Sequence, residues 1–168
     1  MKYRFLVLSF ICLVLVSQNS NAMVPEGLDS LDTADSTQIS QDSLFAIINK
    51  GFEKVRPMLV YSCFDCHSAS TKEPWYFNIP GVHSFVSSHV KEGREHLDFT
   101  DGFPFKTKES QLGILHEIKE EVKDGEMPIF SYRIMHWGRL IEGEKQDSLF
   151  QWIDQTIQQL KEFENNKK

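Results

Sequence analysis

Cys63, Phe64, Asp65, Cys66 and His67 place two thiols three positions apart, with an imidazole directly after the second. Thiols at that spacing can each add to one of the two vinyl groups of a haem. The adjoining histidine is then held under the iron as its proximal ligand, the pattern of a c-type haem attachment site. With 3 Cys and 6 His in 168 residues, chance would give the pentapeptide in about one shuffle in a thousand. Two other chemistries use closely spaced thiols. A zinc site needs a second ligand pair, no other Cys pair exists in the sequence, and adjacent Cys66 and His67 are awkward co-ligands of one tetrahedral ion. A thioredoxin-like dithiol needs a strand-helix-strand setting, whereas the flanks here read as helical or irregular. A structural disulfide between the two thiols and a metal site share what remains.

The residue opposite His67 decides what such an iron can do. A Met ligand raises the potential and suits electron transfer, whereas an open position permits binding or activation of a small molecule. The candidates are Met58, Met127, Met135, His83, His89, His96, His116 and His136. Met127 leads. It follows Gly125, which lets the chain turn, and precedes Pro128, which stiffens it. It also lies 60 positions after His67, enough chain to cross the far face of a haem. Its competing role is that of a methionine filling a core gap, and Met135 and His136 are the next candidates. Two further side chains could contact haem propionates. Trp75, in the run Pro74-Trp75-Tyr76-Phe77, offers an indole N–H or else core packing. Arg94 offers a guanidinium that pairs with a carboxylate, or else a solvated surface charge.

The elements that position these residues read as all-α. The first helix is expected from Asp42 or Ser43, either able to cap it, with Leu44, Phe45, Ile48, Phe52 and Val55 as its apolar stripe. Pro57 is expected to end or kink it. A second helix is expected over 82–95, with Val82, Phe85, Val86, His89 and Val90 on its inner face. Residues 97–107 read as a loop carrying Phe99, Phe103 and Phe105. Ser110 caps a third helix with Ile114, Leu115, Ile118 and Val122 buried, and Gly125 stops it. The last helix covers 144–163 with Leu149, Trp152, Ile153, Thr156, Ile157 and Leu160 inward. No strand pattern competes, and residues 164–168 form a polar tail.

The chain's beginning places the domain in a compartment. Lys2 and Arg4 precede an apolar run of 12 residues, Phe5 to Val16, and Ser20-Asn21-Ala22 closes it with a small-x-small signal. Residues 1–22 therefore read as a secretory signal peptide, too short in its apolar run to anchor in a bilayer. Cys12 would leave with it, and no membrane span is expected in the mature chain. Residues 23–41, rich in Ser, Thr and Asp, read as a disordered linker, and 42–163 as the haem-binding domain. Export leads to the periplasm, where c-type haem is attached and oxidised thiols are tolerated. The full chain carries 18 basic and 24 acidic residues. Removing Lys2 and Arg4 deepens the net charge from −6 to −8, which argues against nucleic acid and anionic membrane as partners.

Cys63-x-x-Cys66-His67 followed by Gly125-Glu126-Met127-Pro128 and a closing helix with Trp152 resembles the class I cytochrome c plan. A closer resemblance is to the bacterial haem-binding domain family. Its pattern is similar to Cys63 to Ser68, then Pro74-Trp75-Tyr76, then His89-Val90-Lys91-Glu92-Gly93-Arg94, then Leu97-Asp98-Phe99-Thr100, then Met127-Pro128. Asp98 and Thr100 stand where Asn and Ser are usual, and the resemblance spans about residues 43 to 160. It implies one covalent haem c with iron held by His67 and Met127. The function expected is that of an exported monohaem electron carrier serving unidentified redox partner proteins. A haem peroxidase or gas sensor with a displaceable sixth ligand is the alternative, with His89, Arg94 and His136 as its distal groups. A structural or metal-binding module without haem is the third possibility.

Overall fold

The computed structural model describes residues 39–167. The expected signal peptide and all but the last three residues of the expected linker lie outside them. The first helix, α1, spans Gln41–Ser62. Its cap is Ser40, earlier than either expected residue. The Ser40 hydroxyl accepts a bond from the Ser43 amide at 3.2 Å, while Asp42 sits in the first turn, where a carboxylate meets the positive end of the helix dipole. Pro57 does not end this helix. It lies on the exposed side together with Glu53, so the carbonyl that loses its amide partner faces water instead of being stranded in the core.

Seven further elements follow: α2 (Phe64–His67), a single 3-10 turn (Trp75–Asn78), α3 (Val82–His96), α4 (Gln111–Asp124), α5 (Phe130–Met135), α6 (Glu144–Asn165) and a two-stranded antiparallel ribbon. The ribbon pairs β1 (Leu97–Asp98) with β2 (Lys106–Thr107), Leu97 opposite Thr107. The all-α reading thus holds for the framework and misses this small sheet. Helix α6 packs on both α1 and α4, and α2 on both α1 and α3. The stripes expected on α4 and α6 are the ones buried. On α1, Leu44, Ile48, Phe52 and Val55 are buried, and Leu59 joins them. Among the described residues, no helix is long and apolar enough to cross a membrane.

The segment between α3 and α4 is part of the core, not a covering loop. Phe99, Phe103 and Phe105 are each at most 3% exposed. Their rings pack in sequence against α1 and α6: Phe52 lies 5.5 Å from both Phe105 and Trp152, and Phe99 lies 5.0 Å from Phe105. Side-chain amides complete the backbone pairing that helices would otherwise supply. Asn49 donates to the Phe103 carbonyl at 2.6 Å and accepts from its amide at 2.9 Å. Gln111 does the same for Phe105, at 3.0 and 2.9 Å. Buried irregular backbone is stable only when its polar groups are met in this way.

Helix α3 departs from expectation. None of its residues is buried, and Phe85 is 51% exposed, because its inner side turns to a cavity beside α2 instead of to the core. The core proper is what carries stability. Leu115→Ala, at a fully buried site, is expected to cost about 2–5 kcal/mol. Ile47→Ala, at a residue 47% exposed on α1, should stay within about 0.5 kcal/mol. Urea denaturation curves of the purified protein check this as a fall in midpoint with unchanged slope for the first variant and no shift for the second.

Candidate functional site

Helix α1 runs directly into the segment Cys63 to His67. The Cys63 amide reaches the Leu59 carbonyl at 2.7 Å, and the His67 amide reaches the Cys63 carbonyl at 2.9 Å. That single turn puts Cys63, Cys66 and His67 on one side, where all three line a cavity of about 320 Å³. The two thiols are unbridged. Burial pushes the Cys63 thiol up to about 12, with neighbouring Cys66 adding to the effect. Burial, reinforced by Asp65, raises Cys66 as well. Desolvation thus keeps both thiols in the neutral form.

His67 is held by its neighbours in one orientation. Its Nδ1 lies 3.0 Å from the Leu97 carbonyl oxygen. A carbonyl only accepts, so Nδ1 carries the proton and Nε2 is left as the donor atom. Burial lowers the ring below the usual histidine range, outweighing the opposite pull of the Leu97 and Gly93 carbonyls. The Phe99 amide donates to the His67 carbonyl at 2.8 Å, and the Phe99 ring stacks on Phe64 at 5.8 Å and stands edge-on to the imidazole at 6.1 Å. Helix α3 closes the arrangement through Gly93. A Cβ there would stand 3.0 Å from the Cys66 carbonyl oxygen and 3.5 Å from the imidazole, so only glycine lets the two helices approach this closely.

The Leu97 carbonyl has its own support. Asp98, 6% exposed, accepts from Arg94 Nη2 at 3.1 Å and Nε at 3.3 Å. It also accepts from the Thr100 amide at 2.8 Å and from the Thr100 hydroxyl. The Thr100 hydroxyl in turn accepts from the Ala69 amide at 2.8 Å, just past the attachment turn. Burial alone would raise the Asp98 carboxyl, but the bonds from Thr100 and Arg94 outweigh it and hold it below the usual carboxylate range. Arg94 therefore does not face the cavity. It lines a separate groove with Glu73, Phe77 and Val90, and its contact with the attachment site runs through Asp98. Trp75 is not brought to the cavity either. It is 78% exposed while Tyr76 takes the buried position beside it, so it is neither core nor cavity wall.

Met127 lines the same cavity as Cys63, Cys66 and His67. Gly125, at φ 71°, ends α4 in the left-handed conformation that favours glycine, and the Met127 amide folds back on the Glu121 carbonyl at 3.2 Å. The walls between are apolar, built by Ile114, Ile118 and Val122 of α4, Phe99, and Ile129 beyond the methionine. The donor set fits haem: two thiols one helical turn apart, an imidazole with its free nitrogen selected, and a thioether at the same apolar cavity. Of the other sulfur and imidazole candidates, His89 and His96 also line it. His89 bonds within its own helix, to the Phe85 carbonyl at 2.8 Å, and His96 pairs with Glu117 at 2.7 Å. Met135 is 43% exposed, and His136 stacks on Tyr132 outside the cavity.

Residues 27–155 match the model of the haem-binding domain family. The chain belongs to that family and binds haem. The match starts upstream of the first helix and ends inside α6, a different span from the one its motifs alone delimit. Neither the curated proteins nor the solved structures compared with the chain gave a match.

The sequence pointed to Cys63, Cys66, His67 and Met127, which line one cavity, and not to the residues that support them. Asp98 and Thr100 appeared only as motif letters, although a short polar residue two positions before a Thr after a helix is a common backbone-turn signal. Tyr132 left no signal, lying in a helix too short for periodicity. Asp98→Ala is expected to cost about 2–3 kcal/mol by leaving Thr100 and the turn under Leu97 unpaired. The sign with pH follows from its lowered folded value. The stabilisation is present above the unfolded range near about 4 and is lost as pH falls through the folded value. Denaturation series from pH 7 downward should show this component in the wild type and not in Asp98→Ala.

Proposed function

We propose that the protein is an exported c-type cytochrome that binds one haem covalently and passes single electrons between partner proteins in the periplasm. The observation that carries this reading is the convergence of Cys63, Cys66, His67 and Met127 on one cavity with apolar walls. Cys63 and Cys66 would hold the haem through thioethers, with His67 Nε2 and the Met127 sulfur as iron ligands. Bound haem supplies a centre that gains and loses one electron. The chain's own part is to fix both ligands and to keep water from the cavity.

His67 is committed through Leu97, which fixes its rotation and keeps the proton on Nδ1, leaving Nε2 bare. Met127, on a loop braced at Gly125, would fill the position an exogenous molecule otherwise takes. Of the three polar groups a peroxidase or sensor pocket would use, only His89 lines the cavity. Arg94 is bound to Asp98 and His136 to the Tyr132 segment. That distribution favours the carrier. The signal-like residues 1–22 support export, and the acidic surface favours partners with a basic docking face.

The test is the holoprotein's visible spectrum in both oxidation states, from a host able to attach c-type haem. Expected are haem that survives denaturing extraction and a low-spin spectrum with the weak long-wavelength band of sulfur ligation. No spectral change should occur when carbon monoxide is added to the reduced protein. In Met127→Ala the long-wavelength band should vanish and carbon monoxide should bind. An unaltered low-spin spectrum in that variant would remove Met127 from the iron.

A further inference from the structure

Helix α5 is built the wrong way round for a packed helix. None of its residues is buried, and Phe130 and Ile134, one turn apart, are 68% and 52% exposed, with Trp137 beyond them at 88%. Apolar burial therefore does not place it. Polar side chains of α5 and the turn after it, Tyr132, His136 and Arg139, instead meet residues within and beside the Cys63–His67 motif. The Tyr132 hydroxyl donates to Asp65 Oδ2 at 2.7 Å. Arg139 Nη1 stands 3.9 Å from the same oxygen, donates to the Tyr61 carbonyl, and lies 4.1 Å over the Tyr61 ring. His136 stacks on Tyr132 at 4.0 Å and meets the Tyr76 hydroxyl at 3.4 Å.

We propose that Tyr132 and Asp65 form a latch that holds the Met127 segment against the attachment turn, making Tyr132 a positioning residue for the iron's sixth ligand. Asp65 is one of the two positions that the attachment motif leaves open, since neither thioether nor iron uses it. Here it is the acceptor on which the opposite wall closes. Met127 is tied on one side to α4 through the Glu121 carbonyl. Five residues on, Tyr132 supplies the tie on the other side. Without the second tie, the next brace after Met127 is the contact of His136 with Tyr76, nine residues on, and Met127 can swing from the cavity. A hydrogen bond to a carboxylate is among the stronger single contacts a side chain makes.

This inference rests on Met127 being the ligand, and the experiment separates the two. Ferric holoprotein is mixed with imidazole, a small ligand that enters only when the sixth position opens, for wild type, Tyr132→Phe, Asp65→Asn, Met127→Ala and the exposed control Ser131→Ala. Tyr132→Phe should bind imidazole about tenfold more tightly than wild type, the factor equivalent to 1.4 kcal/mol, while retaining the sulfur-ligation band without imidazole. Asp65→Asn should shift binding in the same direction, and Ser131→Ala should match wild type. Amide exchange at Arg133 and His136 should quicken in Tyr132→Phe and stay as in wild type in Ser131→Ala. A purely structural tyrosine would lower the denaturation midpoint and leave imidazole affinity where it was, and that result overturns the latch. Wild-type affinity in both latch variants, with Met127→Ala binding tightly, would also overturn it while leaving Met127 as ligand. If Met127→Ala itself matches wild type, the ligand assignment falls and the latch with it.

Discussion

The bond from His67 Nδ1 to the Leu97 carbonyl is the interaction the site is arranged around. An imidazole in a small polar turn can rotate, tautomerise or protonate, and each of these removes the nitrogen a metal needs. One carbonyl at the correct place prevents the first two, and burial of the ring opposes the third. That placement is costly, because a free carbonyl acceptor aimed at a side chain must come from backbone that is not fully used in a helix or sheet. The chain meets the requirement where α3 gives way to the two-residue strand β1, so that Leu97 is held on one side by strand pairing and on the other by the Asp98 turn. The buried carboxylate of Asp98, with Arg94 and Thr100 upon it, is the second layer of that support. The small ribbon is therefore best understood as a bracket for one carbonyl.

How much of this could be seen in the sequence depended on how local the cause was. The stripes of α1, α4 and α6 were legible because each buries a face against its neighbours, and periodicity of 3.6 records that directly. Pro57 misled because its effect is decided by where the freed carbonyl points, which is a tertiary matter. Helix α3 carried the same apolar spacing as the others and yet buries nothing, since its inward side meets a cavity and the attachment turn. Gly93 is the clearest sign of that difference, a small residue placed where two backbones meet. The phenylalanines of 97–107 read as loop because side-chain amides from Asn49 and Gln111 do the pairing that secondary structure usually does, and no pattern within the segment announces them.

The sulfur and imidazole residues of the cavity were legible for another reason. Cys63, Cys66, His67 and Met127 line one cavity, and thiol, imidazole and thioether chemistry is distinctive enough that their spacing carries information without any knowledge of the fold. Arg94 and Trp75 were open to two readings each because charge and aromaticity have many uses. Arg94 proved to be bound to a buried carboxylate, one step removed from the histidine, and Trp75 to be a surface residue beside the buried Tyr76. The residues that position ligands have less restrictive jobs than the ligands do, and so less distinctive signatures.

The two sides of the site differ in how firmly they are built. On the histidine side, the imidazole, its carbonyl acceptor, the Asp98 turn and the Phe99 ring are tied together inside the core, and moving any one disturbs buried bonds. On the methionine side, Met127 lies between a helix end and a six-residue helix with no buried side chain, held by polar contacts that water can compete for. Local opening in proteins follows this kind of difference, beginning where few apolar contacts are lost. The fold thus leaves the Met127 side of the cavity the adjustable one while His67 stays fixed. Under the proposed electron-carrier reading, that division would let the strength of sulfur ligation be set by contacts on α5 without disturbing the histidine side.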